Sequence, residues 1–395
     1  MTRTYPSAEL VRLEPEPMFT ELREREPLTR VRLPYGEPAW LVTRYEDVKL
    51  VLGDPRFSRA AAVGRPEPSV RPQATPPDAI LNLDPPEHSR LRRLVAKAFT
   101  TRRVELLRPR AQEIADDLVT AMRREGSPGD LVANFALPLP VTVICELLGV
   151  PFADRADFRL WTDAFLSTTK YSLDDIRRYG ILLHEYMAGL VAQRRETPQD
   201  DLLSALVAAR DEQDRLSENE LLSLAEGILI AGHETTASQI PNFVYVLLTH
   251  PEQLAALRAN LDLVPSAVEE LMRFVPLAVS AGTARYALED VELSGGTVRA
   301  GEPVLAAIVS ANRDESVYTD PQRLDLTRDE ATHVGFGHGP HHCLGAQLAR
   351  MELQVALSTF LRRLPGLRLA DEETGIDWKS GVSTRGPERM LVAWD

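Results

Sequence analysis

Cys343 is the residue most exposed to chemical use in this chain, because of what surrounds it. The string HVGFGHGPHHCLGAQLAR sets it directly after a glycine-rich loop and directly before amphipathic helical spacing. A thiolate there gains from the positive field of a helix N-terminus and from backbone N–H groups that such a loop can aim at it. Other uses of a cysteine compete. Most free cysteines serve as small buried hydrophobes. His338, His341 and His342 lie within five residues and invite a zinc reading, yet no second Cys/His cluster completes four ligands at a recognisable spacing. A catalytic nucleophile needs a partnered base, and nothing selects one of the eight histidines for that task. Gly335, Gly337, Gly339 and Gly345 decide between these uses. So many residues without a side chain around one cysteine let a flat, bulky group approach the backbone, as a heme-ligand loop requires.

Three further groupings could act. AGHETT (231–236) sets a patch of small and polar residues, Glu234 and Thr235 among them, in an otherwise apolar helical stretch. Taken alone it could be polar decoration, with Thr235 bonding a carbonyl one turn back. Glu270 and Arg273, at i and i+3, could be a solvated helix pair contributing roughly 0.2–0.5 kcal/mol. His88 and Arg92, at i and i+4, share one helix face.

Helices must position most of these residues. SENELLSLAEGILIAGHETTASQIPNFVYVLLTHP opens on Ser217 and Glu220, an S-x-x-E capping box, and stops before Pro251. Read from Glu218 to Thr249, this helix is about 48 Å long and would cross the whole molecule, with AGHETT at its middle and Pro241 straining it beyond. LRRLVAKAF, VELLRPRAQEIADDLVTAM, IRRYGILLHEYMAGLVAQRR and ARMELQVALSTFLRRL also carry apolar residues three and four apart. Strand-like pieces, VRLPYGEPAWLVT and VELSGGTVRAGEPVLAAIV, are short and lie toward the two ends. The expected architecture is therefore mostly helical with small sheets drawn from distant segments, interwoven as one domain. Gly64–Glu87 holds seven prolines and little periodicity; it reads as a mobile lid rather than a linker, since a well-started helix follows at once.

Composition narrows the function. With 44% apolar and 26% charged residues over 395, the chain is globular and large enough for a substantial core. A net charge of −13 argues against nucleic acid or an anionic membrane as the main partner. Cys145 and Cys343 are the only cysteines, far apart and outside any C-x-x-C, which disfavours a disulfide framework. Charge and proline interrupt the N-terminus before a signal peptide could develop, and no uncharged apolar run approaches the roughly 18 residues of a membrane span. The expectation is a cytoplasmic protein.

FGHGPHHCLG resembles the heme-binding signature F-x-x-G-x-[HR]-x-C-x-G of the cytochromes P-450, with Phe336, Gly339, His341, Cys343 and Gly345 in place. Other strings resemble family segments in the family's order. AGHETT is similar to the oxygen-activation segment of the long central helix, and EELMR to the E-x-x-R pair, here Glu270 and Arg273. DPQRLDLTRD resembles the "meander", which makes Arg323 the third member of a Glu–Arg–Arg network; where the family has an aromatic after that arginine, this chain has Leu324. DPPEHSRLRRLV resembles the helix whose His88 and Arg92 bind a heme propionate. GTARYALEDVEL places Arg285 as another propionate arginine, and His341 sits where a further partner often joins them. The resemblance runs from about residue 10 to the end.

It implies the cytochrome P-450 fold, one domain over 1–395, with heme b between the long central helix and the Cys-loop helix and Cys343 as the axial ligand. Thiolate ligation favours O–O cleavage over reversible oxygen storage. Ile228, Ala231 and Thr235 would line one face over the heme, Ala231 and Gly232 leaving room for O2 while Glu234 and Thr235 relay protons. Val279 and Ser280 would join the substrate pocket, and Gly64–Leu83, Phe165–Tyr171, Val279–Ala281 and Gly381–Thr384 would shape specificity. The implied activity is insertion of one O2-derived oxygen atom into a lipophilic substrate by hydroxylation or epoxidation. Electrons would come from NAD(P)H through a ferredoxin reductase and a ferredoxin, docked on the basic segment Arg90–Arg110. Strings such as LPYGEPAWLVTRYEDVKLVLGDPRFSRA look like actinomycete enzymes of antibiotic biosynthesis, macrolide hydroxylases and epoxidases among them. Two alternatives share the cofactor. A peroxide-driven peroxygenase usually lacks the acid–threonine pair, and a non-enzymatic heme-thiolate sensor needs no proton relay.

Overall fold

The computed structural model describes residues 2–6, 12–151, 154–211, 215–330, 332–371 and 376–395. Its helices are α1 (Phe19–Arg25), α2 (Tyr45–Gly53), α3 (Glu87–Ala96), α4 (Thr101–Glu125), α5 (Pro138–Leu148), α6 (Arg155–Phe165), α7 (Leu173–Glu196), α8 (Leu202–Asp211), α9 (Glu218–Leu248), α10 (Pro251–Ala259), α11 (Val264–Phe274), α12 (Ile308–Ala311) and α13 (Ala346–Arg363). The strands are β1 (Arg3–Thr4), β2 (Leu28–Arg32), β3 (Ala39–Val42), β4 (Phe57–Ser58), β5 (Gly129–Asp130), β6 (Arg285–Ala287), β7 (Val291–Leu293), β8 (Gly296–Val298), β9 (Pro303–Ala306), β10 (Arg368–Leu369), β11 (Ile376–Trp378) and β12 (Pro387–Ala393). Every helical string read from periodicity lies in a helix, although LRRLVAKAF changes from α3 to a single 3₁₀ turn at Lys97–Phe99. The capping box of α9 is formed: Ser217 N–H donates to Glu220 Oε2 (2.7 Å) and Glu220 N–H to Ser217 Oγ (3.2 Å). That helix passes through Pro241 without ending.

The chain folds into two units, each assembled from two separate stretches. The first, Met1–Arg90 with Glu269–Cys343, holds the sheet β1-β2-β3-β9-β6-β4 and the hairpin β7–β8. Its central pairing joins segments far apart in sequence, Trp40 with Val304 and Val42 with Ala306. Val48, Val51, Val304 and Tyr318 pack on one side of it; Leu22, Val31, Leu41 and Leu305 form another buried cluster. Gly64–Glu87, expected as a mobile lid, is irregular apart from a 3₁₀ turn at Ile80–Asn82 and the first residue of α3. Ser69 and Tyr35 exchange backbone hydrogen bonds of 3.0 and 3.1 Å, and Glu67 accepts from the buried Arg59 (2.6 Å) and from Ala284 N–H (3.1 Å).

The second unit, Leu91–Val268 with Leu344–Asp395, is helical with a small sheet of β10, β12, β11 and β5. In it α13 packs on α4 and α9, and α5 packs on α9. Phe135 meets Phe360 at 4.3 Å, and Arg363 pairs with Asp116 at 2.8 Å. Among the described residues no helix is long and apolar enough to cross a membrane. Cys145 is fully buried in α5, and neither cysteine is in a disulfide.

Glu270 and Arg273 form a buried bidentate pair at 2.7 and 2.8 Å, not a solvated one. The third member expected from the sequence needs correction. Arg323 is exposed and contributes only its carbonyl, which accepts from Arg273 (3.3 Å) and Arg328 (3.2 Å). The guanidinium that reaches Glu270 belongs to Arg328, with Nε 3.3 Å from Oε1. The segment after Pro321 is irregular, so no spacing ties side-chain direction to position there. Leu324 is buried where the family has an aromatic. Arg323→Met should change unfolding stability by less than about 0.5 kcal/mol. Arg328→Met should cost about 1.5–3 kcal/mol, the range for hydrogen bonds to a charged group; denaturant unfolding of both variants checks this.

Candidate functional site

In the first unit the loop that ends at Cys343 is closed by its own backbone: Cys343 N–H donates to Phe336 O at 2.8 Å. Phe336 is half-buried, its ring 5.8 Å from that of His333 and 6.3 Å from that of His342. Cys343 itself is exposed, so it is not a core hydrophobe. The glycines divide between two tasks. Gly339 has φ +71°, and a Cβ there would lie 2.6 Å from Gly53 Cα and Leu52 O, so it serves the seat of the loop on α2. Gly345, the residue before α13, has open space where a side chain would stand. Gly345 matches the reading that glycines clear room for a flat group, and Gly339 does not. Among the described residues no group of three or more His, Cys, Asp or Glu side chains is placed to hold a metal ion.

Next to this loop the unit gathers basic groups. The His88 and His341 rings are 4.2 Å apart; His88 and Arg285 are buried and His341 is half-buried. Burial, then the charges of His88, Arg285 and Arg59, push the His341 pKa down to about 3. Burial and Arg59 likewise lower Arg285 to about 10, against the opposing pull of Asp84. These groups disfavour one another's charge, a penalty that a bound anion reverses. The donor set therefore fits the carboxylates of heme, and the neighbouring exposed thiol fits its iron. Arg92 is half-buried on α3. Val279 and Ser280 lie half-buried in the loop between α11 and β6.

In the second unit the middle of α9 presents two different sides. Ile228 is buried, Ala231 is exposed and Thr235 is half-exposed; the Thr235 hydroxyl donates to Ala231 O at 3.1 Å, the local bond that its spacing allows. Its lone pairs remain able to accept. Gly232 does not clear space for O2. A Cβ there would lie 2.6 Å from Cγ1 and Cδ1 of Ile144, so its smallness serves the close approach of α5. Glu234 is buried on the other side, where Lys379 pairs with it and the hydroxyls of Ser238 and Thr384 each donate to Oε1 at 3.3 Å. Burial by itself would raise this carboxyl, but the Lys379 charge and hydrogen bond, helped by His233 and Ser238, hold it below the ordinary carboxylate range. Lys379 and Thr384 are invisible from sequence as partners of Glu234. Glu352 on α13 was also missed: it is buried facing Thr236, and burial outweighs that contact to hold its carboxyl well above the usual range. Its signal was a lone acid within the apolar stripe of Leu348, Met351, Val355 and Ala356.

The Cytochrome P450 family model matches residues 9–159 and 155–375 of this chain. The mycinamicin IV hydroxylase/epoxidase of Micromonospora griseorubida is 55% identical over 392 residues, covering 99% of this chain and 98% of that protein. The nocardicin C N-oxygenase of Nocardia uniformis subsp. tsuyamanensis is 53% identical over 394 residues, covering 100% of this chain and 99% of that protein. A crystal structure of HinD with NMFT and NO matches at a TM-score of 0.97 and 50% identity, covering 100% of each chain.

The packing role of Gly232 is testable without any cofactor. Gly232→Ala should cost about 1–3 kcal/mol, as overpacking does. Combined with Ile144→Ala, the two losses should fall short of additive by at least about 1 kcal/mol, because the truncated isoleucine makes room for the new methyl. Denaturant unfolding of both single variants and the double variant closes the cycle.

Proposed function

This chain belongs to the cytochrome P450 family of monooxygenases, and from that premise we propose that it inserts one oxygen atom from O2 into a lipophilic secondary metabolite of the macrolide class, by hydroxylation or epoxidation. The observation that carries the reading is an exposed Cys343 on a self-closed loop, adjoining a basic cluster whose members raise one another's cost of charge. Heme, when bound, supplies an iron centre at which O2 is activated, and thiolate ligation favours O–O cleavage. Cys343 would ligate the heme iron in this reading. His88, Arg285 and His341 hold the heme carboxylates, and the family resemblance adds Arg92. Beside a bound carboxylate His341 would favour its protonated form, in which both ring nitrogens donate.

Thr235 and Glu234 divide the proton work. Thr235, half-exposed beside the exposed Ala231, accepts and passes on a hydrogen bond on the side open to substrate. Glu234 Oε1 collects the bonds from Lys379, Ser238 and Thr384, which leaves Oε2 as the atom that takes and yields the proton. Half-buried Val279 and Ser280 and the segment Phe165–Tyr171 belong to the walls that select substrate. Two relatives with closely similar identities bear the names of a hydroxylase/epoxidase and an N-oxygenase, so selectivity resides in such walls rather than in the shared scaffold.

Electrons come from NAD(P)H through a ferredoxin reductase and a ferredoxin, with the chain working as one cytoplasmic catalytic domain. The docking patch is smaller than the full basic segment. Arg108 is matched by Glu105 at 2.7 Å, and Arg110 by Glu146 at 2.9 Å and Glu113 at 3.1 Å. Exposed Arg93, Lys97, Arg102 and Arg103 remain for an acidic partner.

Reduced, CO-bound protein should show the strongly red-shifted Soret band of thiolate ligation; a histidine-type spectrum in fresh, active protein overturns the assignment of Cys343. Thr235→Ala should keep substrate binding while lowering product formed per NADPH consumed and raising peroxide release, and Glu234→Gln should do so more severely. Charge reversal at Arg93 and Lys97 should slow ferredoxin-supported turnover, with the gap from wild type narrowing as salt rises. Peroxide-driven turnover should be unchanged in that variant.

A further inference from the structure

Glu234 is the acid of the proposed proton relay, and its surroundings are built by a part of the chain that the relay motif does not include. The β11–β12 hairpin carries Lys379 and Thr384 on either side of its turn. Lys379 Nζ donates to Glu234 Oε1 and, at 2.9 Å, to Ser238 Oγ; Thr384 donates to the same carboxylate oxygen. Glu234 and Thr384 are buried and the Lys379 side chain is only 11% exposed, so the pair is weakly screened by solvent and closely held. A lone buried carboxylate of this kind costs several kcal/mol and avoids the cost by taking up a proton.

The hairpin itself is held at both ends. At its base, Lys379 N–H donates to Gly386 O (2.9 Å), and buried Asn242 of α9 donates to Arg385 O (3.1 Å). At its apex, the N–H groups of Thr168, Thr169 and Lys170, in the α6–α7 loop, all donate to Gly381 O at 2.8–3.1 Å, and Ser383 N–H donates to Leu166 O at 2.9 Å. Gly381 has φ +69°, and a Cβ there would lie 2.8 Å from Lys170 N and Thr169 Oγ1. A lysine side chain has ample freedom of its own, so the precision here comes from fixing the backbone that bears it.

We propose that Lys379 is a positioning residue for proton delivery: fixed by its hairpin, it pins one oxygen of Glu234 and keeps the carboxyl ionised, so that the second oxygen is free to accept and return a proton. The inference rests on the proposed role of Glu234 in the relay. The other titratable groups facing this pair are His233 on α9 and, toward His233, Asp163 on α6. His233 is buried, donates its Nδ1–H to Leu229 O (2.8 Å), and is held by burial below the ordinary histidine range, so it does not replace the lysine charge.

The sign of the effect follows. With Lys379 present, the Glu234 carboxyl lies below its unfolded-state value, and its stabilising contribution is lost only as pH falls through the acid range. In Lys379→Met, burial acts unopposed and the carboxyl rises above that value. The variant then loses stability as pH rises, because a buried carboxylate is left without its cation. The melting-temperature gap between wild type and Lys379→Met should therefore widen from about pH 5 to about pH 8, and a protonated-carboxyl infrared band absent from wild type should appear at neutral pH and vanish in Lys379→Met/Glu234→Gln. In turnover, product per NADPH should fall roughly tenfold or more, with the midpoint of its pH profile moved upward by at least about one unit. Lys379→Arg should restore most of both, and substrate-induced spectral binding should stay near wild type.

Should Lys379→Met fold poorly, Gly381→Ala retains the lysine but displaces the hairpin from the α6–α7 loop, and should move the pH profile in the same direction. Melting-temperature and infrared readings of Lys379→Met that track wild type at every pH overturn the proposal, as does failure of Lys379→Arg to rescue a well-folded enzyme. Failure of the relay reading looks different: Glu234→Gln then retains wild-type coupling while the infrared and melting effects of Lys379→Met persist.

Discussion

The pair Glu270–Arg273 is the interaction on which the first unit's loop architecture is wound. Both side chains are out of water, so neither could be left without its partner except at a cost of several kcal/mol. Each also satisfies backbone that no sheet or helix would satisfy. Arg273 donates to the carbonyls of Asn312, Pro321 and Arg323, and Glu270 accepts from Asp325 N–H at 3.0 Å. Asn312 in turn accepts from Val334 N–H at 2.8 Å, at the start of the loop that ends on Cys343. One ion pair thereby organises the long irregular stretch from residue 312 to the thiol, and Arg328 completes it. An irregular segment needs such an anchor because its backbone groups lack regular partners.

Buried charge is handled in three ways in this protein, and each suits a different task. Glu270 is neutralised by two arginines and becomes structural. Glu234 is matched by one lysine and stays ionised, with hydrogen bonds gathered on a single oxygen. Glu352 faces no cation among the described residues and is held by burial above the usual carboxylate range. The basic cluster of His88, His341 and Arg285 is the reverse case, a group of like charges whose mutual cost falls when an anion binds. Charge balance thus separates an acid that anchors a loop from groups whose protonation depends on one or two neighbours.

The small residues make the same point about packing. Gly232 and Gly339 both lie in motifs that resemble functional segments, and both are required first by a neighbour: Ile144 in one case, the backbone of α2 in the other. Ala231 and Gly345, beside them in the same motifs, are the positions left open. Each motif therefore mixes a position left open with a residue that lets the scaffold close around it.

Local features of the chain were legible without coordinates, since their causes are local. The capping box at Ser217 and Glu220, the span of α9, the helical strings and the loop ending at Cys343 follow from spacing, caps and glycine content within a few residues. The joining of β3 to β9 was legible only as small sheets drawn from distant segments. Tertiary structure alone decided which arginine reaches Glu270, because Arg323 and Arg328 lie in a segment with no period to relate position to direction. It alone decided that Gly232 answers to Ile144, and that Lys379 meets Glu234 across 145 residues of sequence. Such partners are chosen by which elements pack together, and packing is a property of the whole unit that no local spacing records.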